Sequence, residues 1–138
     1  MRYFVAILIV ICSVLPGRVV AQWNVGQLLR IGTDAIYYDD NRRAIEHFNR
    51  VIRLKPHLYE PYFFRGYAKL GMDDINGAIA DFTKAIDINP NYLQAYIYRG
   101  MAFFQVGRYE ESLEDYRVAA ELAPSDAMIY AYRGITYR

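Results

Sequence analysis

Residues 57–90 read HLYEPYFFRGYAKLGMDDINGAIADFTKAIDINP, and residues 91–124 read NYLQAYIYRGMAFFQVGRYEESLEDYRVAAELAP. The two stretches are copies of one 34-residue pattern with seven identical positions, most of them small, aromatic or helix-breaking. Such a fixed period predicts a repeat architecture rather than one globular core. The columns that continue this spacing are Gly32, Gly66, Gly100 and Gly134; Pro56, Pro90 and Pro124; Ala44, Ala78 and Ser112; Phe48, Phe82 and Tyr116; and Tyr62, Tyr96 and Tyr130.

Each copy has the sequence pattern of two helices. Residues 60–70 contain no interior helix breaker, because Pro61 falls in the first turn, where proline is tolerated. Residues 71–74 form a turn whose aspartates can cap the next helix. Apolar residues then recur at helical spacing over residues 75–88, and Pro90 ends the unit.

The same interpretation extends along the chain. Small side chains at Gly66 and Ala78 let the two helices of a unit approach closely. The remaining helices are expected near residues 25–38, 41–54, 92–105, 109–122 and 125–137. The repeats are expected at residues 25–56, 57–90 and 91–124, with a half-repeat at 125–138.

The third unit reads Tyr96-x-x-Arg99-Gly100-x-x-Phe103, then Ser112-x-x-x-Tyr116, then Pro124. This pattern resembles the tetratricopeptide repeat, whose signature is aromatic-x-x-Leu-Gly-x-x-Tyr, Ala-x-x-x-Phe and Pro. The resemblance covers residues 24–138. It implies an all-α fold, a right-handed α-solenoid of antiparallel helix pairs with about 3.5 repeats. It also implies a non-enzymatic protein–protein interaction module, because these repeats serve many unrelated partners.

In the family, the first helix of each repeat lines a concave groove that holds the ligand. Some relatives bind a terminal carboxylate with Lys, Asn and Arg, but the matching positions Leu29, Thr33, Phe64, Gln94 and Tyr98 carry none of these groups. The resemblance therefore implies a protein or peptide partner with an apolar or amphipathic segment. The alternative is a groove filled by the protein itself, by a neighbouring subunit or by a missing downstream segment. The candidate groove residues are Leu29, Thr33, Ile36, Phe63, Tyr67, Leu70, Ile97, Met101, Phe104, Met128, Ala131 and Ile135.

Two charged residues depart from the signature together. An Arg precedes the glycine in the second, third and fourth units, and an Asp precedes the aromatic residue in the second and third. The first unit has Ile31 and His47 at these positions. Their joint occurrence predicts ion pairs. The two possible registers are Arg65–Asp81 with Arg99–Asp115, within a repeat, and Asp81–Arg99 with Asp115–Arg133, between neighbours.

Residues 1–21 have the features of a secretory signal peptide. Arg2 supplies a positive charge, an uncharged apolar run follows, Pro16 ends it, and Ala21 precedes a cleavage site. Cleavage there predicts an exported protein, periplasmic or secreted, with residues 22–138 as the solenoid and no stable membrane span. The alternative is an uncleaved anchor, although a span needs about 20 apolar residues.

Composition and charge argue against several function classes. The 16 basic and 15 acidic residues nearly balance, which argues against nucleic acid as a ligand. Cys12 is the only cysteine and lies in the leader, while His47 and His57 have no obvious third ligand. The Asp-rich turns at residues 39–41 and 73–76 lack the Gly and Glu of a calcium loop and fit helix capping. We therefore expect no enzyme, no catalytic residue, no metal and no cofactor.

The fourth unit, residues 125–138, contains only a first helix, near residues 125–137, and most of the side chains of this helix are apolar. Because the ends of a solenoid need polar caps, this edge calls for a cover. The cover is either a further part of a longer repeat protein or another chain, and a homo-oligomer is possible. The edge thus supports an alternative function as an assembly subunit of a larger envelope complex.

Overall fold

The computed structural model describes residues 24–137, which form seven α-helices and no strand. Each helix packs against the next, and the third, fifth and seventh helices also contact one another in series. The predicted all-α solenoid of helix pairs is confirmed, and the helix boundaries lie within two residues of those expected. The helices are α1 (24–37), α2 (Asn41–Leu54), α3 (Glu60–Leu70), α4 (Ile75–Ile88), α5 (Leu93–Gln105), α6 (Tyr109–Leu122) and α7 (Ala127–Thr136).

The predicted signal peptide lies outside the described residues. Within residues 24–137, none of the helices has both the length and the apolar character needed to cross a membrane.

The turn inside each helix pair has the same backbone conformation. Asp39, Asp73 and Gly107 have φ angles of 60°, 60° and 77°, in the left-handed region that Gly, Asn and Asp tolerate best. The following residues, Asp40 and Asp74, cap α2 and α4, because each carboxylate accepts a hydrogen bond from the backbone N–H three residues on, at 3.1 and 3.0 Å. The Asp-rich turns therefore start helices, as predicted.

Each repeat closes around a glycine that faces an aromatic ring. A Cβ atom built at Gly66 would lie 2.9 Å from a ring carbon of Phe82 and 3.2 Å from the carbonyl oxygen of Ala78. The equivalent nearest distances are 2.7 Å for Gly32 with Phe48 and 2.8 Å for Gly100 with Tyr116. The predicted close approach of the two helices is confirmed, and the ring occupies the space that a Cβ would take.

The tyrosine column secures the starts of the first helices α3, α5 and α7. The hydroxyls of Tyr62, Tyr96 and Tyr130 donate to the carbonyl oxygens of Pro56, Pro90 and Pro124 at 3.2, 2.9 and 3.2 Å. Each hydrogen bond joins a first helix to the proline that ends the preceding unit. The tyrosine column and the proline column of the sequence are therefore in contact in the structure.

The Arg–Asp pairs form within a repeat. Arg65 donates from Nε and Nη2 to the two carboxylate oxygens of Asp81 at 2.8 and 2.6 Å, and Arg99 binds Asp115 at the same two distances. Asp81 and Asp115 are 4% and 3% exposed. The within-repeat register is confirmed and the alternative between neighbours is wrong, because both carboxylates are occupied by the arginine of their own unit. Lys69 also contacts Asp81.

The same arginines connect successive repeats through their third donor. Nη1 of Arg65 donates to Asn49 at 2.7 Å, and Nη1 of Arg99 donates to Thr83 at 3.0 Å. Burial raises the pKa of the Asp115 carboxyl, and Arg99 opposes the shift. Each guanidinium therefore serves both the pairing of two helices and the stacking of two repeats.

Candidate binding groove

A groove with a volume of about 940 Å³ runs along the first helices α1, α3 and α5. Its lining is mostly aromatic and apolar, with a few amides and hydroxyls. The lining residues are Thr33, Ile36, Tyr37, Asp39, Asn41, Phe63, Phe64, Tyr67, Leu70, Gly71, Tyr92, Gln94, Tyr98, Met101, Ala102 and Gln105.

The floor of the groove is a set of aromatic rings in mutual contact. Phe63 is 5% exposed and lies 5.3 Å from Phe64, 5.0 Å from Tyr92 and 5.7 Å from Tyr98, measured between ring centroids. Tyr98 also contacts Tyr67 edge-to-face at 5.2 Å. Edge-to-face contacts orient aromatic rings, so neighbouring rings hold the floor in place without a ligand.

Six of the candidate groove residues line this groove. They are Thr33, Ile36, Phe63, Tyr67, Leu70 and Met101. Phe63 belongs to the floor and packs into the main core, while Tyr67 is 38% exposed and accessible to a ligand. A charge at Phe63 would therefore test folding rather than binding.

The other candidates lie outside the residues that line this groove. Leu29 packs against the core between α1 and α2, and Ile97 against the core of the second and third repeats. Phe104 contacts Tyr109 at the start of α6. The residues of α5 that line the groove are Gln94, Tyr98, Met101 and Gln105. They share Met101 with the expected series 97, 101 and 104, and the other two members lie one residue later, at 98 and 105. On α7, Met128 and Ile135 are exposed beyond the groove, and Ala131 is exposed as well.

Four aromatic residues that line the groove are absent from the candidate set: Tyr37, Phe64, Tyr92 and Tyr98. A signal for two of them was present, because Phe64, Tyr98 and Tyr132 form an aromatic column with the 34-residue spacing. Tyr92 has no such column, and it reaches the groove from the turn before α5. Its position depends on how that turn packs against α3.

The family follows from comparison with known proteins. Residues 63–127 match the model of the tetratricopeptide repeat. The second and third units, which this match covers, are tetratricopeptide repeats. No curated protein matches the chain in sequence.

Solved structures, several of them named as tetratricopeptide repeat (TPR) domains, share the fold. The TPR domain of Arabidopsis OM64 has a TM-score of 0.81 and 24% identity, with 85% of this chain and 97% of that chain covered. MamA has a TM-score of 0.80 and 26% identity, with 83% and 67% covered. The second TPR domain of human RPAP3, solved in complex with the HSP70 peptide SGPTIEEVD, has a TM-score of 0.81 and 21% identity, with 86% and 98% covered.

The electrostatics of this TPR groove are simple. Asp39 is the charged residue among those that line it, and it carries a negative charge. Burial, followed by the neighbouring Tyr59 and Glu60, raises the pKa of Tyr92 to about 12. Burial and then Tyr67 likewise raise the pKa of Tyr98. Both phenols are weaker acids than an ordinary tyrosine, which is already neutral at physiological pH, and they offer hydrogen bonds without charge.

The positions that match the carboxylate-binding residues of some relatives carry neutral side chains in this sequence. Of these positions, Gln94 and Tyr98 line the groove and offer an amide and a phenol, and Thr33 offers a hydroxyl. Without a cation, such a site lacks the charge-assisted hydrogen bonds that hold a terminal carboxylate strongly.

Residues 24–137 contain no group of three or more His, Cys, Asp or Glu side chains placed to hold a metal ion. His47 is half-buried on α2, and His57 is exposed in the turn before α3. The titratable groups that line the groove are tyrosines and Asp39, and these side chains can bind a ligand through hydrogen bonds.

Proposed function

We propose that this protein is a protein-interaction module that binds an apolar or amphipathic segment of a partner protein in the α1–α3–α5 groove. The observation that carries the proposal is the lining of the groove. It combines a preformed aromatic floor with accessible Tyr67 and Met101, and Asp39 is its charged residue. Large rigid rings and a flexible thioether form binding surfaces that adapt to apolar side chains.

Preorganisation supports this proposal. Tyr98 lies against Phe63, Tyr67 and Phe82, with ring centroids 5.2 to 6.2 Å apart, so a ligand does not need to order it. Binding a peptide to a surface that is already ordered loses less side-chain entropy, and more of the contact energy is available as affinity. A groove of about 940 Å³ has room for several apolar side chains of one segment.

Charge indicates which partners are favoured. The RPAP3 domain binds a peptide that ends in acidic residues, whereas the groove described above has a carboxylate, Asp39, and no lysine or arginine. An acidic tail would meet a like charge without a compensating cation. We therefore propose a neutral or basic apolar segment as the ligand.

The test is capture of a partner with matched variants. Tyr67→Glu with Met101→Glu introduces two buried charges into the partner contact, and we expect it to abolish capture from an envelope extract. Val106→Glu is the control, because Val106 has the same 38% exposure as Tyr67 but lies outside the groove. Circular dichroism should show the same helix content in all variants.

Two results would contradict the proposal. One is equal capture by the double variant and by Val106→Glu, which would show that the contact with the partner lies outside the groove. The other is competition for the captured partner by the peptide SGPTIEEVD, since a site without cations should not bind it.

We also propose that the protein works outside the cytoplasm, in the cell envelope or the secreted fraction. The support is the signal-peptide pattern of residues 1–21. The expected result is a mature form that begins at Gln22 by mass spectrometry. Recovery of the chain with Met1 intact in the cytoplasmic fraction would contradict it.

A further inference from the structure

The second helices of the three complete repeats, α2, α4 and α6, form the outer layer of the solenoid. The first helices touch from repeat to repeat, α3 with α5 and α5 with α7, whereas within residues 24–137 the second helices make no comparable contact with one another. A stack whose first helices are close and whose second helices are spread is convex on the side of the second helices. We call the surface formed by the exposed side chains of α2, α4 and α6 the convex face.

The charge of the convex face changes sign from the first repeat to the third. Outside the core, the charged side chains of α2 are four arginines and one glutamate, and those of α4 are one lysine and one aspartate. Those of α6 are four glutamates and one arginine. The face is therefore basic at α2, neutral at α4 and acidic at α6, although the formal net charge of the whole chain is only +1.

The opposite charges of α2 and α6 occupy equivalent repeat positions. Three arginines of α2 have a glutamate two periods of 34 residues later, on α6. The three pairs are Arg42 with Glu110, Arg43 with Glu111, and Arg53 with Glu121. Equivalent positions lie at the same height and on the same side of their helices. Laying α2 of one molecule against α6 of another, in the same direction, therefore brings an arginine to a glutamate at all three heights.

Several of these charges have no partner inside the described part of the chain. The arginines of α2 form no ion pair with residues 24–137, and neither does Glu110. Arg42 and Glu110 are both exposed. The one like-charge match between the two helices is Glu46 with Glu114, but Arg117 already binds Glu114 at 2.6 Å. The pattern as a whole is thus electrostatically complementary to itself.

Symmetry turns this self-complementarity into a definite arrangement. In a two-fold dimer, if one residue contacts a second residue of the other copy, the second contacts the first in return. A two-fold axis that runs parallel to the helices, between the two copies of α4, sets α2 of each copy against α6 of the other, so each Arg–Glu pair forms twice. A two-fold axis along the solenoid would instead set α2 against α2 and α6 against α6. Like charges would then meet, so charge selects the first arrangement.

The sizes of the side chains fit the same arrangement. Two convex surfaces approach most closely at their centre, where α4 presents the short side chains of Asn76 and Ala80. The gap widens towards α2 and α6, where the long side chains of arginine and glutamate can span it. Because exposed ion pairs each contribute little and are screened by salt, such a dimer is weak and salt-dependent.

We propose that the convex face binds a second copy of this chain, in a two-fold dimer with α2 of each copy against α6 of the other. The binding groove lies on the first helices, on the opposite side of the solenoid. Dimerisation therefore leaves both grooves accessible, and a partner that carries two binding segments gains affinity from being held twice.

The test is sedimentation velocity of the purified protein and of two charge-reversal variants, Arg42→Glu and Glu110→Arg. Each variant alone has like charges at both of its 42–110 contacts, and we expect its dimer dissociation constant to rise about tenfold or more. In an equimolar mixture, a dimer of one variant with the other has opposite charges at both contacts. Association in the mixture should therefore return to the level of the unaltered protein.

Arg30→Glu and Asp34→Arg are the matched controls. They change the net charge by the same amounts, but both residues are exposed on α1, outside the convex face. We expect each control to dimerise as the unaltered protein does, with no gain on mixing. Circular dichroism should show the same helix content in all variants. Raising sodium chloride from about 50 to about 500 mM should weaken the dimer of the unaltered protein, because the screening length shortens.

Four outcomes would overturn the inference. A protein that remains monomeric at about 1 mM in low salt has no such interface. A dimer that neither Arg42→Glu nor Glu110→Arg weakens is formed through another surface. Weakening by each variant without recovery in the mixture would show that α2 and α6 do not face each other. A monomer that binds vesicles of anionic phospholipid, and loses this binding with Arg42→Glu, would assign the arginines of α2 to a membrane surface.

Discussion

The glycine column offers a test of how each repeat is closed. Replacing Gly66 with Ala puts a methyl group 2.9 Å from the Phe82 ring and 3.2 Å from a backbone carbonyl of α4. Phe82 is 0% exposed and cannot move aside without displacing its neighbours. Overpacking of this kind costs about 1–3 kcal/mol. Alanine meanwhile stabilises a helix interior by about 1 kcal/mol relative to glycine, which partly offsets that cost.

Gly134→Ala separates the two effects, because it occupies the same repeat position without a facing ring. Only the gain in helix propensity remains there, up to about 1 kcal/mol and reduced by the nearby end of α7. The free energies of unfolding of the two variants should therefore differ by about 1–3 kcal/mol, in favour of Gly134→Ala. At roughly 4 °C per kcal/mol for a domain of this size, the difference in Tm is measurable.

Urea and thermal unfolding followed by circular dichroism at 222 nm measure both quantities. Gly66→Ala should unfold at lower urea concentration than the unaltered protein, and Gly134→Ala at an equal or higher one. If Gly66→Ala stabilised the protein as much as Gly134→Ala, the ring would have room to move, and the argument that glycine is required for close packing would fail.

Two further predictions concern buried polar groups. Asp115→Ala should lower the free energy of unfolding by about 3–5 kcal/mol, because it leaves the Arg99 guanidinium, 17% exposed, without its carboxylate. A double-mutant cycle with Arg99→Ala, measured by urea unfolding, should give a coupling free energy between the two residues. Strictly additive effects of the two substitutions would refute the pairing. Burial raises the pKa of Tyr116 to about 12 from an ordinary value of 10.0, so the native state holds the phenol proton more tightly than the unfolded state does. The protonated phenol therefore contributes its full stability below pH 10, and this contribution is lost as the pH rises to 12. Tyr116→Phe, which restores the residue type of Phe48 and Phe82, should therefore reduce the fall in Tm between pH 10 and 12, and an unchanged fall would contradict the assignment.

The groove shows where sequence reasoning reached its limit. Its position on the first helices was predicted, and Tyr67, Met101 and Leu70 line it. On α5 the candidate set contains Ile97 and Phe104, whereas Tyr98 and Gln105, each one position later in the chain, line the groove. Neighbouring positions on a helix differ by about 100° in direction. A periodic apolar pattern therefore predicts that a helix is amphipathic, but small rotations in packing decide which apolar residues face the groove and which face the core.

Repetition explains what the sequence by itself determined. Helix-breaking, small and aromatic residues recur every 34 positions, and each has a local effect: Pro90 ends a helix, Asp74 starts one, and Gly66 admits a ring. Because local effects depend on neighbours in the chain, the helices and their pairing could be derived from the residues, and the all-α solenoid followed from the resemblance to the tetratricopeptide repeat. The same periodicity placed Arg and Asp near one another.

Tertiary structure alone decided between equivalent partners. Asp81 has an arginine 16 residues before it and another 18 residues after it, and nothing in the sequence separates the two. The packed helices place Arg65 at 2.6 Å from Asp81, while the next arginine binds Asp115. The rotation of α5, which brings Tyr98 into the groove, was decided in the same way. Each depends on distances between side chains that are far apart in the chain, and such distances follow from how whole helices pack.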